Sequence, residues 1–220
     1  MRKQSTNITP QQRMDMILPW FRAHQPVVKS ELNYDNTFHL LIAVMLSAQC
    51  TDKRVNMVTP HLFQRFPTPK SLATATFEEV FSEIASISYP NNKAKHLIGM
   101  AKMLVDEFDS QVPCTPGELE RLPGVGRKTA NVVSAVAFNL PRMAVDTHIF
   151  RVCNRLGVTK AKSPLQSEQQ LIKLIKEEEI PLAHHWFLLH GRYVCMARKP
   201  HCEKCPFTEC CNFFKSNATK

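Results

Sequence analysis

Three groups of residues have the types and spacing to do chemistry. The stretch "LPGVGRKTANVV" (122–133) sets two glycines and two cations directly ahead of an apolar helical run. Lys128 then falls in the first turn of the helix, where the positive end of the helix dipole disfavours a cation. An amine kept partly neutral is a nucleophile toward carbon and can form a Schiff base. A lysine beside a phosphate site can equally be a salt contact. Asp146 follows eighteen positions later, in "RMAVDTHIFRVCNRLG" (142–157). It is placed to cap the helix that begins at "THIF". A carboxylate there can also move a proton, or stabilise a sugar cation as a glycosidic bond breaks. The third group is C-x6-C-x2-C-x5-C over Cys195, Cys202, Cys205 and Cys211. A structural zinc site more usually shows two tight C-x2–4-C pairs, and four thiolates of one short loop can also hold an iron–sulfur cluster. The spacing leaves both open, and Cys210 offers a rival fourth ligand one residue earlier.

Helices must position all three groups. No sustained period-2 pattern marks a strand, so the expected class is all-α, with about ten short helices. "FHLLIAVMLSAQ" (38–49) is apolar nearly all round and follows "YDNT", which offers Asp, Asn and Thr as caps. Thr76 with Glu79, and Thr115 with Glu118 behind Pro116, fit capping boxes. Leu97, Ile98, Ala101, Leu104, Val105 and Phe108 recur at helical spacing. "SEQQLIKLIKEEE" (167–179) and "PLAHHWFLLHGRYVC" (181–195) read as two more helices. Around Lys128 the pattern gives a short capped helix, a tight glycine turn and a longer helix from about Arg127. Free backbone N–H groups at such a turn suit a phosphate. The glycines Gly124 and Gly126 let another backbone approach without a Cβ in the way. This is a helix-hairpin-helix element, a sequence-independent grip on a DNA backbone.

Bulk properties agree with that partner. Lys and Arg outnumber Asp and Glu by 28 to 19, a formal charge of +9, which favours a polyanion. The best apolar stretch, "LLIAVMLSA" (40–48), has nine residues where a membrane span needs about 20. The basic start "MRKQSTNITPQQRMD" has no apolar core and does not read as a secretory signal. A reducing, cytoplasmic setting is expected, and with it metal ligation rather than disulfides for the crowded cysteines.

"LPGVGRKTANVV", then "VDTHIFRVCNRLG", then "HHWFLLHGRYVC" and the cysteine cluster resemble endonuclease III, from about residue 30 to Cys211. That family comprises bifunctional DNA glycosylases and abasic-site lyases with the helix-hairpin-helix. The resemblance implies removal of oxidised pyrimidines from duplex DNA, and β-elimination 3′ to the abasic site through a lysine Schiff base. Lys128 matches the lysine that attacks C1′, and Asp146 matches the essential aspartate. A [4Fe–4S] cluster is implied on Cys195, Cys202, Cys205 and Cys211, with Cys210 a free thiol. The implied fold is a six-helix lobe over about 30–140, containing the hairpin at about 116–138, and a cluster lobe from 1–29 and 141–220, with a DNA cleft between. Gln49 matches the glutamine that fills the gap left by an extruded nucleotide. Tyr89, in "SYPNNKA" (88–94), stands where the family often has a wedging leucine. Arg198 and Lys199, in "ARKPH", are candidate phosphate contacts on the cluster loop. The partner is double-stranded DNA with damaged bases or abasic sites, met by a monomer at the nucleoid. The rival readings are an adenine-type glycosylase of the same superfamily, which lacks a lysine at the Lys128 place, and a non-catalytic helix-hairpin-helix module, which needs neither Lys128 nor Asp146.

Overall fold

The computed structural model describes residues 8–218, and among them every regular element is helical. In chain order the α-helices are α1 (Pro10–His24), α2 (Thr37–Ser47), α3 (Asp52–Arg65), α4 (Pro69–Ala73), α5 (Phe77–Ile84), α6 (Pro90–Glu107), α7 (Pro116–Leu119), α8 (Arg127–Phe138), α9 (Thr147–Leu156), α10 (Pro164–Leu171), α11 (Ile180–Tyr193) and α12 (Asn212–Ala218). The first seven residues of the basic start, read above as carrying no signal, lie outside the described residues. No helix among the described residues is long and apolar enough to cross a membrane.

The chain divides into two units. One is Ser30–Arg142, with α2 to α8. Its core follows from α2, where every residue from Phe38 to Leu46 is buried. A helix apolar on all sides has to be wrapped, and α3, α6 and α8 pack against it. The other unit joins the segment before Ser30 to the segment from Met143 onward, with its own core. There Phe21 of α1 stacks on Trp186 of α11 at 5.5 Å, and the Trp186 indole donates to the Gln25 carbonyl at 2.8 Å. Arg13, buried on α1, donates to the Leu156 carbonyl at the end of α9 and to Asn212 of α12.

Most helix starts follow the expected caps, and three expectations need correction. Asn36 caps α2, and Thr76 with Glu79 forms a full capping box on α5. Thr115 caps α7, but the Glu118 carboxylate takes the Thr115 hydroxyl at 2.6 Å instead of the backbone amide, so that box is half formed. The expected helix over 167–179 stops at Leu171. Glu177–Glu179 instead form a 3-10 turn leading into α11. Three carboxylates at a helix C-terminus would face the negative end of its dipole; ahead of α11 they face the positive end. Finally, α1, α3, α4 and α12 were not anticipated. The signal for α1 was present: Thr9 with Gln12 makes a capping box, and Met14, Ile17, Leu18 and Phe21 form its buried stripe.

Candidate functional site

The hairpin that carries Lys128 is built by burying its apolar residues and leaving its glycines outside. Leu122 and Val125 enter the core, and the Val125 amide donates to the Leu122 carbonyl at 3.0 Å. Gly124 and Gly126 flank Val125 and are exposed. Gly124 has φ +80°, and a Cβ there would stand 2.7 Å from the Cβ of His96 on α6. Gly126 is extended, and a Cβ there would meet nothing within 4 Å. Gly126 is also the N-cap of α8, and lacking a side chain it caps nothing. The first amides of α8 therefore have no partner inside the helix and point outward. Among the described residues, neither the Gly124 nor the Gly126 amide donates to a protein acceptor.

Lys128 is the second residue of α8 and is exposed. Ala130 and Val133 are buried in the core, and the lysine side chain projects away from them into solvent.

Asp146 is half-buried at the start of α9. Its Oδ1 accepts from the amides of His148 and Ile149, both at 2.8 Å. Among the described residues, Oδ2 takes no hydrogen bond. One oxygen thus fixes the carboxylate, and the other is available to a ligand. Further along α9, Arg151 donates to the Gly191 and Cys195 carbonyls, at 2.8 and 3.1 Å. One turn on, Arg155 donates to the Met196 and Ala197 carbonyls, at 2.7 and 2.8 Å. These two arginines hold the loop that exposes Arg198 and Lys199. Sequence reasoning missed both, although their i,i+4 spacing puts them on one face of α9.

Cys195, Cys202, Cys205 and Cys211 line one small cavity, together with His190, Leu156, Phe213 and neighbours. Cys210 does not line it; its thiol is buried against the Phe207 carbonyl at 3.4 Å. Among the described residues, no three His, Cys, Asp or Glu side chains stand close enough to hold a single metal ion. Burial pushes the Cys205 thiol up to about 11 and raises Cys202 and Cys211 as well. Ligation needs thiolates, so a bound cationic centre would have to supply the compensating charge. Burial also pushes His190 down to about 4, so its ring, 3.6 Å from the Cys205 sulfur, is neutral at pH 7.

Gln49 and Tyr89 share an unusual backbone. Gln49 follows α2 with φ +55°, and Tyr89 precedes α6 with φ +57°. Both are exposed. A left-handed conformation costs a non-glycine residue about 1–3 kcal/mol and persists only where the surroundings impose it. Lys93, buried on α6, is bonded to both places. Its amine donates to the Leu46 and Ala48 carbonyls, at 2.8 and 2.6 Å, and its backbone amide donates to the Tyr89 carbonyl at 3.2 Å. Burial holds its ammonium below the ordinary lysine value. The sequence did carry a signal, since Lys93 lies on the same stripe as Leu97, Met100 and Leu104.

With this geometry in place, the likeness to known proteins can be weighed. A family model described as HhH-GPD superfamily base excision DNA repair protein matches residues 42–177. Endonuclease III of Rickettsia felis is 45% identical over 205 residues, covering 93% of this chain and 96% of that relative. The chain belongs to the endonuclease III family. Endonuclease III of Escherichia coli strain K12 is 44% identical over 197 residues, covering 90% of this chain and 93% of that one. A solved structure of a trapped endonuclease III–DNA covalent intermediate, an estranged-adenine complex, matches with TM-score 0.89 at 42% identity. That match covers 94% of this chain and 98% of the solved one.

The hairpin glycines of this family member differ in what they do for the fold. Gly124→Ala meets a left-handed backbone and the His96 ring together, and should lower unfolding stability by at least about 1–2 kcal/mol. Gly126→Ala meets open space and an extended backbone, and should cost less than about 1 kcal/mol. Thermal or urea unfolding of the two variants checks the contrast; equal costs would contradict it.

Proposed function

We propose that this chain is a bifunctional DNA glycosylase and abasic-site lyase of base excision repair, acting on oxidised pyrimidines in duplex DNA. One observation carries the reading: the near full-length likeness to a chain caught as a covalent intermediate with DNA. A covalent bond to DNA needs a nucleophile on the protein. Lys128 is the candidate here, an exposed amine in the first turn of an uncapped helix, next to amides suited to a phosphate.

The Gly124 and Gly126 amides and the α8 N-terminus hold the DNA backbone, and Arg198 and Lys199 add phosphate contacts from their pinned loop. The target nucleotide leaves the stack. Gln49 and Tyr89 enter the vacated space, where an aromatic ring stacks on an exposed base. The Lys128 amine attacks C1′, the C1′–N bond breaks, and the base departs. Asp146 opposes the positive charge that develops on the sugar and shuttles the proton of the attacking amine. Its Oδ1 stays engaged with the α9 amides, so Oδ2 does this work. The C1′–O4′ bond then opens, with O4′ taking the proton that Asp146 removed from the amine, and the iminium so formed at C1′ acidifies C2′. Loss of a C2′ proton expels the 3′ phosphate oxygen and nicks the strand. Lys128 is exposed in the free protein, so an incoming nucleotide meets its amine without rearrangement of the core.

We assign Cys195, Cys202, Cys205 and Cys211 to a [4Fe–4S] cluster. Four cysteines that line one cavity, on a spacing that resembles the family's, support the cluster over a zinc ion. The cavity excludes Cys210, which supports Cys211 as the fourth ligand. When bound, the cluster would tie the basic loop to the C-terminal segment. The domain reading, a six-helix domain over about 30–140 and a cluster domain from both chain ends, is part of this proposal, as are a monomer and a cytoplasmic setting at the nucleoid.

Borohydride reduction should trap the wild-type protein on an abasic-site duplex as a covalent adduct. Lys128→Gln should abolish both the adduct and the nick yet still bind the duplex. Lys128→Arg keeps a cation that does not deprotonate in proteins, and should fail to trap. Asp146→Asn keeps the cap and should slow base release severely with little loss of DNA affinity. Trapping of Lys128→Arg at wild-type yield would demote the lysine to an anchor.

The cluster has its own test. Natively purified protein should be brown and contain iron with acid-labile sulfide. Serine at Cys195, Cys202, Cys205 or Cys211 should remove the colour or the fold, and Cys210→Ser should keep both. Stoichiometric zinc, or colour that survives Cys211→Ser but not Cys210→Ser, would overturn the assignment.

A further inference from the structure

We propose that Lys93 is a positioning residue for gap filling: its amine and its backbone amide together hold Gln49 and Tyr89 in their left-handed turns, ready for the space an extruded nucleotide leaves. The inference rests on the glycosylase reading above. It starts from two backbone outliers that nothing in their own sequence favours. Neither Gln49 nor Tyr89 is glycine, asparagine or aspartate, the residues that tolerate positive φ. Each is exposed, so its own side chain is not packed into the core to enforce the turn. Something else must enforce it, and Lys93 is bonded on both sides.

The amine meets α2 where an amine is wanted. The last carbonyls of a helix lack partners within it, and a cation completes them while matching the negative end of the dipole. Leu46 is within the last turn of α2, and Ala48 is the residue directly before Gln49. Binding both carbonyls fixes the chain on entry to Gln49, and the Cys50 amide closes the turn on the Ser47 carbonyl at 3.1 Å. On the other side, Tyr89 is the N-cap of α6 without any side-chain cap bond, so the Lys93 amide on its carbonyl is the first rung of that helix. One residue thus sets the register of two exposed side chains that come from different helices.

The test compares borohydride trapping on an abasic-site duplex with trapping on the same site in a single strand, which has no stack to refill. Lys93→Met keeps the stem and the backbone amide on Tyr89 and removes the amine that holds the chain ahead of Gln49. It should slow trapping on the duplex by about tenfold or more, the cost of misplaced groups, and change the single-strand rate by less than about twofold. In a Gln49→Ala background the same substitution should cost clearly less, since coupled residues are not additive. Equal losses on both substrates, or an undiminished loss in the Gln49→Ala background, would assign Lys93 to stability alone. Should Lys93→Met fail to fold, Lys93→Gln, whose amide still reaches one carbonyl, goes through the same comparison; failure of both to fold also overturns the proposal. Wild-type protein that traps on neither substrate would sink the lyase reading itself, a different failure from equal losses in the variant.

Discussion

An α-helix ends in backbone groups that have no partner inside it, and in an all-helical chain this constraint recurs at every turn of the architecture. The described residues meet it in two ways. Short polar side chains cap the starts: Thr9, Asn36, Thr51, Thr68, Thr76, Thr115, Asp146 and Ser163 each accept from a first-turn amide. Long cations from other helices take up the ends. Arg13 reaches the last carbonyl of α9, Lys93 reaches the end of α2, and Arg151 reaches Gly191 in the last turn of α11. A hydrogen bond from a charged donor is worth about 1.5–3 kcal/mol net, and leaving a buried carbonyl bare costs comparably. These cations therefore do for the helix ends what the apolar stripes do for the faces.

Departures from that rule are informative. Within Ser30–Arg142, α2, α3, α4, α5 and α7 carry a side-chain cap, and α6 and α8 do not. The uncapped starts belong to Tyr89 and Gly126, two of the places where the proposed function brings DNA. A side chain on those amides would compete with a phosphate or fix the wedge loop in another shape. Stability is given up locally, and the neighbouring contacts restore it: Lys93 beside Tyr89, and Leu122 with Val125 beneath the glycines. Local rules broken at functional places and satisfied elsewhere are the pattern expected of a working site.

Much of this was legible in the sequence because it is local. Caps, the glycine turn, the start of α8 and the cysteine spacing all depend on residues within a few positions of each other. The helix expected over 167–179 misled because apolar periodicity ran on through Leu174 and Ile175, while the three glutamates belong electrostatically to the start of α11. What stayed hidden is long-range contact from side chain to backbone. Lys93 acts on carbonyls 45 and 47 positions away, and Arg13 on one 143 positions away. A basic residue reads as surface unless its place on an apolar stripe is noticed, and the carbonyl it will meet leaves no mark in the sequence. Lys128 shows the opposite limit. Its helix position was readable, but its exposure was not, because burial depends on what the rest of the chain leaves uncovered.

The second unit applies the same economy to a single helix. At its start α9 carries Asp146, fixed through one oxygen by the helix's own amides. Along one face it carries Arg151 and Arg155, which hold the chain from Gly191 to Ala197. At its end the carbonyl of Leu156 is held by Arg13 from α1. The carboxylate and the basic loop are therefore referred to one rigid rod, and the loop does not depend on the cysteines alone for its shape. Arg155 also donates to the Cys195 sulfur at 3.5 Å, so the rod bears on the cavity as well. On the cluster assignment proposed above, that contact is a charged donor on one of the ligand sulfurs. The helix that carries Asp146 thus also contacts Cys195 and the loop behind it, which is why the "RVCNR" run reads as more than a surface segment.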